Sequence, residues 1–171
     1  PRQCRALFPA AHITGVEVNP HVLDLAHQNF ALGSLGIETI NSSGESFIKN
    51  TGAVFDAIVD DMWVPNATDL KPVFVEPDWP QLISVRLKNH GLYAVNLYSR
   101  GESRYEVRTA MRRLAGEFET LREVQPPMGQ TTVIVAGRQL PLPRVARDRL
   151  RLLPSQFADE LRQIRFRALL T

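Results

Sequence analysis

Two acids in this chain stand at the ends of apolar runs, where a fold could put them to use. Glu17 sits in Ile13-Thr-Gly-Val-Glu-Val-Asn-Pro20, and Asp60 closes Phe55-Asp-Ala-Ile-Val-Asp60. Ile13, Val16 and Val18 make a buried strand, Asn19 can cap the helix that follows, and Pro20 suits its first turn, where no backbone donor is needed. Glu17 is therefore held at the carboxyl end of a strand, where open α/β sheets bind their ligands. A fixed carboxylate offers a pair of acceptors to a pair of hydroxyls, so this spacing points to the ribose of an adenosyl-type ligand.

Other chemistries have little to work with. Cys4 is the only cysteine, which excludes an internal disulfide and reads as a buried or incidental thiol. His12, His21, His27 and His90 show no metal-ligand spacing, so no metal site is expected.

The elements that must position the acids follow from periodicity. Val22, Leu25, Ala26 and Phe30 fall at helical spacing after Pro20, and Leu32-Gly-Ser-Leu-Gly36 ends that helix. Ile37–Ile40 reads as a strand, Ser43 to Lys49 as a short helix, and Phe55–Asp60 as a buried strand. Asp61–Pro72 reads as a long loop, Trp79–Leu87 as a helix and Gly91–Leu97 as the next strand. Tyr105–Phe118 carries Val107, Met111, Leu114 and Phe118 on one side of a helix. Thr120–Val124 and Thr131–Ala136 then read as strands joined by Gln-Pro-Pro-Met-Gly-Gln, a link short enough for an antiparallel hairpin. Strands and helices alternating through the first hundred residues predict an α/β fold: a Rossmann-like, mostly parallel sheet with a C-terminal antiparallel hairpin.

With 171 residues and 44% hydrophobic content the chain can build a proper core, and no apolar run reaches the roughly 18 residues needed to span a bilayer. No charged-then-apolar leader opens it, so a soluble, cytoplasmic protein without a membrane partner is the expectation. Charge is uneven. Residues 138–171 hold eight Arg against three acids, a net of +5, which leaves −3 on residues 1–137 for the total of +2. Arg144, Arg147, Arg149 and Arg151 could meet phosphates or an acidic partner, while Phe157, Leu161, Ile164 and Ala168 give a final helix an apolar stripe. That stripe serves to cover the sheet or to make a homodimer contact, and no recognised motif supports nucleic-acid binding.

An α/β run closed by such a hairpin resembles the class I S-adenosylmethionine-dependent methyltransferase fold, and its details are similar to the spermidine synthase-like branch. The likeness rests on Val16-Glu-Val-Asn-Pro20, on Phe55-Asp-Ala-Ile-Val-Asp60 and on Leu87-Lys-Asn-His-Gly-Leu-Tyr-Ala-Val-Asn-Leu97, and it extends over residues 7–137. It implies a transferase domain over 1–137 and a basic helical extension over 138–171 that packs on the same domain. It implies a small-molecule partner, S-adenosylmethionine or its decarboxylated form, bound by Glu17 at the ribose, by Ser43 and Gly44 near the adenine, and by Asp60, the catalytic candidate, at the reacting end.

This chain departs from the family's pattern at three places. Ser43 stands where the family has an Asp, leaving a hydroxyl rather than a carboxylate for the adenine amine. Three residues beyond Asp60, where aminopropyl transferases have a second acid, stands Trp63. Asp61 points away from Asp60 along an extended segment, which leaves Asp69, Glu76 and Asp78 as acids that could reach the pocket. The family's first strand and Gly-rich turn have no counterpart in Pro1–Pro9, so the resemblance implies a sheet incomplete at its centre and a chain not catalytically competent by itself. The expected function is methyl or aminopropyl transfer, the alternative a non-catalytic homologue acting as an interaction module.

Overall fold

The structure is a computed structural model and describes residues 1–65, 70–72, 76–98, 103–126, 131–150 and 163–169, with the backbone alone described at 63–65, 70–72, 103–104 and 106. The expectations placed on Asp69, Arg151, Phe157 and Leu161 lie outside the described residues. The chain divides into two compact units, Pro1–Thr51 and Gly52–Thr171.

The first unit runs α1 (Arg2–Leu7), β1 (Thr14–Glu17), α2 (Pro20–Phe30), a 3-10 turn (Leu32–Leu35), β2 (Glu38–Asn41) and α3 (Gly44–Asn50). β1 and β2 pair in parallel, Thr14 against Glu38 through Glu17 against Asn41, so β1, α2 and β2 make one βαβ crossover. α2 starts as its sequence dictates: Asn19 is the N-cap, its side chain accepts from the His21 N–H at 3.0 Å, and Pro20 opens the first turn. Its end comes at Phe30, before the Leu32–Gly36 stop, because Ala31 takes the left-handed conformation at φ 52° and the chain tightens into the 3-10 turn. The Arg5 guanidinium donates to the carbonyls of Leu35 at 2.8 Å, Gly36 at 2.9 Å, Pro9 at 2.9 Å and Ala11 at 2.7 Å, and so fastens α1 to the chain entering β1 and β2. Leu32 and Ile48 are this unit's buried apolar side chains, whereas Phe8, Val22, Leu25 and Phe30 are exposed. Cys4 is exposed, not buried.

The second unit begins with β3 (Phe55–Asp60), β4 (Trp63–Pro65), β5 (Leu70–Pro72), α4 (Trp79–Ser84) and β6 (Leu87–Tyr98). It continues with α5 (Ser103–Glu117), β7 (Thr120–Gln125), β8 (Thr131–Gly137), α6 (Pro143–Leu150) and β9 (Arg165–Leu169). Among the described residues the main sheet has the order β3-β6-β8-β7-β9. β3 and β6 are parallel, and β6–β8, β8–β7 and β7–β9 are antiparallel. The class is therefore mixed α/β, with parallel βα pairs closed by the expected β7–β8 hairpin. Alternation along β6 buries Tyr93, Val95 and Leu97 on one face, joined there by Ile134 and Ala136 of β8 and Leu121 of β7. α4 and α5 bring Trp79, Ile83, Ala110, Leu114 and Phe118 into the same core.

Three elements differ from the sequence expectations. Asp61–Pro72 is not all loop: β4 and β5 pair antiparallel there, with Pro65 and Pro72 at strand ends, where a missing donor is tolerated. The helix expected over Trp79–Leu87 stops at Ser84, and Leu87 already begins β6. The register opens between Phe55, opposite Leu87, and Ala57, opposite Leu92, so Lys88–Gly91 form a bulge in a strand rather than helix. The final helix is not continued through Ala168, since Arg165–Leu169 is a strand on the edge of β7. Arg165 and Arg167 face out and Phe166 is half-buried, and this two-residue alternation together with β7's pairing edge outweighs the four-residue spacing of Ile164 and Ala168. No helix among the described residues is long and apolar enough to cross a membrane.

Candidate ligand-binding and catalytic residues

In the first unit, Glu17 ends β1 half-buried, and its Oε1 accepts from the Asn19 N–H at 2.8 Å. That bond fixes the carboxylate over the start of α2 and leaves Oε2 with no partner among the described residues. Asn41, at the end of β2, donates its side-chain amide to the carbonyls of Glu17 at 2.9 Å and Val18 at 3.0 Å, and the Ser42 N–H reaches the Glu17 carbonyl at 3.1 Å. Asn41 thus locks the strand end that carries the acid. Sequence reading passed over it because a strand-terminal Asn has no local signature of such a bond.

The chain leaves that point directly into Ser43 and Gly44, so the structure brings Glu17, Ser43 and Gly44 to the carboxyl end of the β1–β2 pair. Ser43 caps α3: its Oγ accepts from the Ser46 N–H at 3.1 Å, and its carbonyl accepts from the Phe47 N–H. The hydroxyl hydrogen and a second lone pair of Ser43 have no partner among the described residues. Gly44 opens the helix.

Asp60 belongs to the second unit and ends β3 at 5% exposure. The Tyr93 O–H donates to its Oδ2 at 2.5 Å, the Trp79 indole N–H to the same oxygen at 3.1 Å, and the Met62 N–H to Oδ1 at 3.0 Å. The Trp79 N–H also lies 3.3 Å from the Tyr93 hydroxyl, closing a buried triangle. Burial raises the Asp60 carboxyl above the usual carboxylate range; the bonds from Tyr93, Met62 and Trp79 oppose this, and the neighbouring charge of Asp61 adds to it. Burial, and then the charge of Asp60, push the Tyr93 phenol well above its ordinary range, so the proton between them stays on Tyr93.

Asp61 points the other way, as an extended segment requires, and accepts from the Asn96 side-chain amide at 2.9 Å. Asn96 lies one residue past Val95, which pairs with Asp60, so both acids and this amide meet where β3 and β6 end. Its Oδ1 is buried and has no hydrogen-bond partner among the described residues. Glu76 and Asp78 are exposed, and the partners of Asp60 are Tyr93, Trp79 and Met62 instead. Tyr93 and Asn96 were legible only as parts of an apolar strand, and Trp79 as a helix residue. No cluster of His, Cys, Asp and Glu able to hold a metal ion occurs among the described residues.

No protein-family model and no curated protein matches this sequence. Solved structures do share its fold. Human methyltransferase-like protein 13, in complex with SAH, is 20% identical and superposes with a TM-score of 0.72 over 95% of this chain and 75% of that one. A probable spermidine synthase from Corynebacterium glutamicum is 12% identical, with a TM-score of 0.71 over 96% of this chain and 60% of that one. A spermidine synthase in complex with the transition-state analogue AdoDATO is 17% identical, with a TM-score of 0.63 over 88% of this chain and 61% of that one. This chain thus spans about three fifths of the length of the two spermidine synthases. Its fold is the one that class I methyltransferases and spermidine synthases share.

Proposed function

We propose that this chain binds an adenosyl nucleoside and serves the transfer of a methyl or aminopropyl group from S-adenosylmethionine or its decarboxylated form. The observation that carries this reading is Glu17, a half-buried strand-end carboxylate fixed through Oε1 with Oε2 free to accept from a ribose hydroxyl. A carboxylate already immobilised by its own backbone loses little entropy when it takes up a diol. Ser43 and Gly44, at the same strand ends, meet the adenine edge, where a hydroxyl both donates and accepts. The bound cofactor supplies an electrophilic carbon next to a sulfonium.

Asp60 has three of roughly four acceptor positions already filled. Its role is to order the turn after β3 through the Met62 N–H, beside which Asp61 accepts from the Asn96 amide. Trp63, standing where a second acid would deprotonate a polyamine, favours methyl transfer, in which positioning of the nucleophile can suffice.

Calorimetric titration of the chain with S-adenosylhomocysteine and with methylthioadenosine tests the reading. Binding is expected, and Glu17→Ala should weaken it by about 1.5–3 kcal/mol, the worth of hydrogen bonds to a charged group. Preference for methylthioadenosine would assign aminopropyl transfer. Binding of neither nucleoside would overturn the proposal in favour of a fold retained as an interaction module.

A further inference from the structure

β6 grips the two consecutive acids at the end of β3 from opposite faces of the sheet. Tyr93 and Asn96 lie three residues apart on β6, so their side chains leave it on opposite sides. Tyr93 holds Asp60 within the core at 2.5 Å, and Asn96 holds the exposed Asp61 at 2.9 Å. Between these grips the turn is closed by the Met62 N–H, which donates to Asp60 Oδ1 at 3.0 Å.

We infer that Asp60 is a proton-operated latch on this turn, closed by its carboxylate and opened when Oδ1 takes up a proton. A carboxylate accepts on both oxygens, whereas a carboxyl group accepts well on one, so protonation displaces the donors from the other. Oδ2 receives the Tyr93 hydroxyl and the Trp79 indole, both fully buried, and stripping them would leave two donors without partners in the core. Oδ1 receives the N–H of Met62, a half-buried residue whose amide can turn to water instead. The proton therefore goes to Oδ1, and the bond that gives way is the one that closes the turn.

Asp60 takes up its proton nearer neutrality than an exposed carboxylate does, because burial penalises its charge. Among the described residues the titratable groups facing it are Tyr93 from β6 and Asp61 from the turn itself, while α4 contributes the neutral Trp79 indole. Tyr93 keeps its proton throughout, since its phenol is pushed well above its ordinary range. Lys88 and Asp56 pair with each other near the start of β3. The latch needs no ligand, and it stands or falls apart from the nucleoside reading.

Proton–nitrogen NMR of the full chain, followed as pH falls through the carboxylate range, tests the inference. Protection of the Met62 amide from hydrogen exchange, corrected for the intrinsic effect of pH, is expected to fall about tenfold or more, as loss of a hydrogen bond to a charged group implies. The Trp79 indole N–H should stay protected through the same step, with circular dichroism showing the fold intact. In Asp60→Asn the step should vanish. In Asp61→Asn it should persist with a lower midpoint, because the neighbouring charge that disfavours the Asp60 carboxylate is gone. In Tyr93→Phe the midpoint should rise, because a bond that favours the carboxylate is lost. A step that disappears in Asp61→Asn but survives in Asp60→Asn would overturn the latch. So would an unmoved midpoint in Tyr93→Phe, loss of protection at Trp79 in place of Met62, or a Met62 amide that stays protected until the chain unfolds.

Discussion

Asp60 is a carboxyl group that its surroundings both strain and satisfy. Burial raises its pKa, so its protonated form is favoured by folding: the contribution to stability is full below the ordinary carboxylate range and is lost as pH rises through the elevated folded value. Each tenfold difference in proton affinity between folded and unfolded chains is worth about 1.4 kcal/mol. In urea unfolding at stepped pH, the parent chain should therefore lose stability across that window, and Asp60→Asn, which cannot ionise, should lose less; identical pH profiles would rule the burial argument out. The residue scale is also where sequence reading was most uneven. The Asn19 cap is local and was legible from residue type and spacing, whereas Ser43, read as the first residue of its helix, is the cap before it. The side-chain partners of Asp60, Trp79 and Tyr93, lie 19 and 33 positions away, in α4 and β6, and only tertiary packing brings them together.

Among the elements, β6 decides most of the second unit, pairing with β3 on one side and β8 on the other. Its bulge depends on Gly91, where a Cβ would come within 3.0 Å of the carbonyl oxygens of Lys88 and Phe55. Backbone atoms cannot swing aside as a side chain can, so Gly91→Ala should cost about 1–3 kcal/mol, as overpacking does, measured by chemical denaturation. A variant as stable as its parent would mean that the bulge is free to relax. The βα alternation was readable from the spacing of its apolar residues, although Val22, Leu25 and Phe30 of α2 end up exposed, and the β7–β8 hairpin from the alternating face that β8 buries. β9 was not, since Arg-Phe-Arg-Ala-Leu fits either period until a neighbouring edge is known.

At the scale of the whole molecule, the burial of apolar side chains is divided unequally. The first unit buries Leu32 and Ile48, while the second buries Trp79, Ile83, Tyr93, Val95, Leu97, Leu114, Leu121 and Ile134 among others. A unit of some fifty residues with so small a core holds its hydrogen bonds weakly. Amide exchange should accordingly be fastest in residues 1–51 and slowest in β6 and β8; equal protection in both units would contradict this.

The triangle of Asp60, Tyr93 and Trp79 also makes the molecule its own indicator. An indole at 1% exposure, with its N–H on a titrating carboxylate, senses the change of charge beside it as a shift in emission colour. With Trp63 replaced by Phe, light from Trp79 alone would read out the ionisation of Asp60, with no label and no denaturant.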